Sequence, residues 1–103
     1  MKPVSIRARA DADIDAAIDH FLQSSSAGAV HLVDELETVT GRLARRPGSG
    51  SQRYAKLAGL EGVRSRPIGR TRYHVFYVEL EESIEVIRVL HERRDIPSLL
   101  ADP

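Results

Sequence analysis

The sequence predicts an α+β fold in which a short N-terminal strand and a helical hairpin pack on one face of a mostly antiparallel sheet, in the order β-α-α-β-β-β. Three observations predict it. Apolar residues recur with a helical period through the first half of the chain, the period falls to two in the second half, and the stretch Pro47-Gly48-Ser49-Gly50 separates the two regimes. A chain of 103 residues is the size of one domain, so 1–103 is expected to fold around its own core.

The elements follow in order. Val4 to Arg7 has β character after Pro3. Asp11, Asp13 and Asp15 then crowd one stretch, as suits the N-terminal end of a helix, and Ile14, Ala17, Ile18, Phe21 and Leu22 form an apolar stripe at i, i+3, i+4, i+7 and i+8. Ser24 to Gly28 breaks that helix. A second helix is expected from Ala29 to Arg45, on the spacing of Leu32, Leu36, Val39 and Leu43, with Arg42, Arg45 and Arg46 complementing the negative end of its dipole. Residues 47–56 have the composition of a loop. Val63 to Ile68, Tyr73 to Leu80 and Ser83 to Leu90 are β-rich and read as an antiparallel meander, with Glu81-Glu82 as a tight turn. The tail, 94–100, suggests a short helix with Asp95 at its N-cap and Pro97 in its first turn.

Composition narrows the class. At 42% hydrophobic and 29% charged residues the chain is too apolar to be disordered. The absence of cysteine removes disulfides and thiolate metal sites, and fits a reducing compartment. Met1 to Arg7 has no apolar region behind its charge, and no apolar run approaches membrane-spanning length, so a cytoplasmic protein with no membrane partner is expected. The formal net charge of zero hides an uneven distribution. Residues 42–72 carry nine bases against Glu61, while both flanking thirds are acidic. Eight of the nine are arginine, which favours bidentate recognition of carboxylate or phosphate.

The strand pattern carries a further expectation. Tyr73, Val75 and Tyr77 alternate with His74, Phe76 and Val78, and Ile84, Val86, Arg88 and Leu90 alternate with Ile87 and Val89, so both faces of both strands are apolar. One helical hairpin covers one face. The other would be closed either by the tail or by a partner segment, and Val75, Tyr77, Ile84, Val86 and Leu90 are the residues expected to meet that partner.

The stretches Gly62 to Ile68, Tyr73-His74-Val75-Phe76-Tyr77 and Ile87 to Pro97 resemble the C-terminal half of ParE-type toxins. The opening Ile6 to Phe21 and the Arg-Pro-Gly end of the second helix are similar to the same family, so the resemblance spans nearly the whole chain. It is a resemblance to the RelE/ParE superfamily, on its ParE-like branch. It implies the toxin of a type II toxin–antitoxin system, of the kind tied to plasmid stabilisation, held in a hetero-oligomer by a cognate antitoxin. It also implies DNA gyrase as target, with replication blocked, and operator DNA reached only through the antitoxin. On that reading Arg64, Arg66, Arg88, His91, Arg93 and Arg94 contact the target, and Val75, Tyr77, Ile84, Val86 and Leu90 the antitoxin. The sister RelE-like branch implies the alternative, a ribosome-dependent messenger-RNA endoribonuclease, with His91 as base and Arg64, Arg88 and Arg94 as phosphate clamps. The tail after Arg94 lacks the tyrosine such nucleases often carry.

No cofactor or metal site is expected. His20, His31, His74 and His91 show no metal-ligand spacing, and there is no phosphate loop, Gly-x-Gly-x-x-Gly or nucleophile elbow.

Overall fold

The computed structural model describes residues 1–102. Over these, the elements are β1 (Val4–Ile6), α1 (Ala8–Leu22), α2 (Ser26–Arg45), a single 3-10 turn (Pro47–Ser49), α3 (Arg53–Ala58), β2 (Val63–Pro67), β3 (Tyr73–Glu79), β4 (Ile84–His91) and α4 (Ile96–Ala101). The sheet order is β1-β4-β3-β2, with β1 parallel to β4 and the other pairs antiparallel. Among the described residues no helix is long and apolar enough to cross a membrane.

α1 buries Ala10, Ile14 and Ala17, and α2 buries Ala29, Leu32, Val39 and Leu43. These stripes pack on Ile68, Val75, Tyr77, Ile84, Val86 and Val89 to form the larger core. α2 starts three residues earlier than its apolar period implies. The Ser25 side chain accepts a hydrogen bond from Gly28 N at 3.1 Å, which satisfies an orphan donor of the first turn and carries the helix back to Ser26. Gly28 packs against the Phe21 ring so closely that a Cβ there would sit 2.9 Å from it, which lets the two helices turn tightly.

β4 carries a bulge. Phe76 faces Arg88 but Tyr77 faces Val86, so Ile87 is an additional residue on β4. The side-chain alternation reverses there. Val89 joins Ile84 and Val86 on the hairpin side, and Leu90 turns to the opposite face with Phe76 and Ile87. The uninterrupted alternation expected for Ser83 to Leu90, which grouped Leu90 with Val86, is corrected accordingly.

The second face is also closed by the chain itself. Ala55 of α3 and Ile96 and Leu100 of α4 pack with Val63, Phe76 and Leu90 into a smaller core, which Tyr54, Leu60 and Leu99 flank. The open face expected from the strand pattern is therefore sealed, and by two helices rather than the tail alone. α3 lies inside the stretch expected to be a loop. It is only six residues long and is terminated by Gly59 in the left-handed region, φ 71°, with Leu60 N donating to Ala55 O.

Candidate functional site

Most of the cations in the acidic thirds are matched to carboxylates. Lys2 Nζ lies 2.9 Å from Glu79, Arg7 Nε 2.8 Å from Glu85, and Arg9 Nη2 3.1 Å from Asp102. Arg88 makes the best-buried pair. Its Nε and Nη2 donate to the two Asp13 carboxylate oxygens at 2.8 and 3.0 Å, and its Nη1 donates to Leu99 O at 3.3 Å. The reason lies in the sheet. β1 stops opposite Val86, leaving the next stretch of the β4 edge without a strand, and Asp13 from α1 accepts the Val89 N–H at 3.0 Å. Arg88 neutralises the carboxylate that this edge requires. Its guanidinium is thereby engaged within the fold.

The basic third behaves differently. Among the described residues, none of its nine cations has a carboxylate within 4.0 Å. Arg42 and Arg45 on the last turn of α2 and Arg46 at its C-cap stand exposed, and half-buried Arg66 rises from β2 beside them. With Ser49 these four arginines line a cleft of about 440 Å³, and a smaller hollow shared by Arg42 and Arg66 runs on to Glu35 and Gly69. The 3-10 turn positions this cleft. Tyr77 Oη donates to Pro47 O at 2.6 Å and accepts from Gly50 N at 3.0 Å, Arg64 Nη1 donates to Gly50 O at 3.0 Å, and Arg66 Nη1 donates to Ser49 Oγ at 2.7 Å. Burial raises the Tyr77 pKa, which keeps its donor proton in place. A Cβ at Gly50 would collide with Tyr77 Oη, so the turn closes this tightly only on glycine.

A second cationic group lies where β3 begins and β4 ends. Tyr73 pairs with His91, their rings edge-on at 5.0 Å, and Arg72, Arg93 and Arg94 act electrostatically on these two residues. Burial lowers the His91 pKa; Glu92 works against this, and Arg93, Arg72 and His20 add to it. His91 Nδ1 accepts the Arg93 N–H at 3.1 Å, so the ring proton sits on Nε2. In that neutral tautomer Nε2 is a donor, so a base role for His91 would require Nδ1 to give up the Arg93 N–H.

The residues expected to contact a target thus fall into three places. Arg64 and Arg66 are on β2 at the sheet edge, Arg88 is locked under α4 against Asp13, and His91, Arg93 and Arg94 lie at the end of β4, with β3 between them and β2. The residues expected to meet an antitoxin need correction. Val75, Tyr77, Ile84 and Val86 are fully buried under the helical hairpin, and Leu90, 3% exposed, is buried on the other face. None offers surface in this fold. The large apolar side chains that remain exposed include Leu22, Val30 and Val33 on the hairpin and Leu57 on α3. Sequence reasoning placed Arg42, Arg45 and Arg46 only as helix-dipole partners; the excess of arginine over acid in 42–72 was the signal that they belong with Arg66.

The family profile described as the ParE toxin of type II toxin–antitoxin system, parDE, matches residues 4–96. No curated protein sequence matches. Among solved structures, the chain is similar to one titled as a chromosomal ParDE TA system from P. aeruginosa, with a TM-score of 0.72 and 20% identity, covering 88% of this chain and 96% of that one. The α+β topology is common to both, and the profile spans both cationic groups and the bulged β4. The chain belongs to the ParE toxin family of type II toxin–antitoxin systems.

Proposed function

We propose that this ParE-family toxin inhibits DNA gyrase and so blocks replication, and that a cognate antitoxin neutralises it in a hetero-oligomer. It acts by binding, with operator sequence read only by the antitoxin, and its target places it in the cytoplasm. The observation that carries this reading is the contrast among the candidate residues. The set proposed for RNA cleavage is dispersed, with Arg88 bonded to Asp13 and His91 Nδ1 engaged by the Arg93 N–H, whereas the exposed arginines at the end of α2 and half-buried Arg66 have no carboxylate partner among the described residues.

The test is a supercoiling assay with purified gyrase and ATP, run beside a ribosome-bound messenger. Loss of supercoiling, restored by the co-purified antitoxin, with the messenger intact, is the expected result. Cleavage of the messenger in the ribosomal A site, with gyrase unaffected, would move the protein to the nuclease reading.

A further inference from the structure

We propose that the cleft formed by Arg42, Arg45, Arg46, Ser49 and Arg66 is a binding site for the phosphodiester backbone of a nucleic-acid duplex, independent of base sequence. The inference does not rest on gyrase as the target.

Arg42 and Arg45 lie at i and i+3 on the last turn of α2, and Arg46 follows as its C-cap. Like charges that close repel, and the neighbouring strand adds Arg66; Glu35, in the adjoining hollow, has no ion pair with Arg42 or Arg66 among the described residues. Lys2, Arg7, Arg9 and Arg88 each have a carboxylate within 3.1 Å, whereas the cleft arginines, like the other cations of the basic third, have none within 4.0 Å among the described residues. Three of these side chains are exposed, and all four arginines line the same concavity. The bond from Arg66 Nη1 to Ser49 Oγ holds one guanidinium in the cleft lining and uses one of its five donors.

The lining selects among polyanions. It contains no aromatic residue, and Tyr77 below it is fully buried, so there is no platform on which unpaired bases stack. It contains no large apolar side chain, so a peptide would bury little there. Main-chain strand addition is blocked as well, because Ser51 already exchanges both hydrogen bonds with Ser65 at 2.8 Å on the outer edge of β2. What remains is a row of phosphates at regular spacing, met by arginine forks.

The experiment is fluorescence anisotropy of the full chain with 20-base-pair DNA and RNA duplexes of arbitrary sequence, across a salt series and without any topoisomerase. About three neutralised phosphates give a slope of log affinity against log salt of roughly −3, a loss of about 60-fold between 50 and 200 mM salt. Arg42→Gln with Arg45→Gln should flatten that slope by about two, and Arg66→Gln alone by about one. Arg7→Gln, which breaks only the Glu85 pair, should leave it unchanged. The duplex held more tightly identifies the source of the phosphates. No binding at 50 mM salt, an unchanged slope in folded double variants, tighter binding of single strands, or displacement by a polyglutamate peptide at equal charge would each overturn the proposal. Supercoiling inhibition is measured separately, so either result stands or falls without the other.

Discussion

The two faces of the sheet are built from alternate residues of the same two strands, β3 and β4, but are covered very differently. One face lies under helices of fifteen and twenty residues, whose apolar stripes interlock with six strand and loop side chains. The other lies under two six-residue helices, which meet each other as well as the sheet. A helix of six residues has no stability of its own in water, so α3 and α4 persist only through the apolar surface they bury. The hairpin face is thus the foundation of the fold, and the α3–α4 face is a thin cover held by Phe76, Leu90, Ile96 and Leu100.

That contrast can be broken most directly by cavities. Leu32→Ala, at 1% exposure under the hairpin, should cost about 3–4 kcal/mol, and Leu100→Ala, at 8% exposure in the thin cover, about 2 kcal/mol because α4 can settle into the gap. Urea denaturation measures both, and equal losses would mean that the two layers are equally rigid. Arg88→Ala tests the seam joining them, since this side chain links α1 through Asp13 to α4 through Leu99. A loss of about 3 kcal/mol is expected, largely restored in the Asp13→Asn, Arg88→Met double variant, whereas a loss below 1 kcal/mol would make the pair a surface ornament.

Hydrogen exchange sharpens the comparison without mutation: amides of α3 and α4 should exchange well before those in the middle of α2. The smallest effect concerns pH. Burial lowers the His74 pKa below 6.5, outweighing the raising influence of Glu92 at 3.8 Å. The unfolded chain therefore binds this proton first. The stability is complete above the unfolded value of 6.5 and is lost as the pH falls towards the folded value, with His91 acting in the same direction. Thermal melts of a His74→Gln variant should show a shallower fall between pH 6.5 and 5.5, and an identical fall would remove His74 as its source.

Much of this fold was legible. The periods of Ile14 to Leu22 and Leu32 to Leu43 locate α1 and α2, and the β-branched runs locate β3 and β4 to within a residue or two. The short tail helix was legible from Pro97 and Asp95, although Asp95 bonds Ser98 Oγ at 2.8 Å rather than a backbone donor. α3 was not legible. Gly48, Ser49, Gly50 and Ser51 gave its surroundings the composition of a loop, and its one apolar anchor that is fully covered, Ala55, becomes meaningful only opposite Val63 and α4. Gly59 was the one local mark of where it stops.

The amino-acid sequence by itself determined the helical hairpin, the meander and the arginine-rich middle third, because periodicity and charge are properties of neighbours along the chain. Only the tertiary structure decided which face each β4 side chain occupies, that the second face is closed, and that Arg88 is spent while Arg42, Arg45, Arg46 and Arg66 are not. The physical reason is common to all three. A single additional residue, Ile87, reverses a strand's alternation, and a short helix such as α3 or an ion pair such as Asp13–Arg88 exists only when segments far apart in the chain desolvate one another.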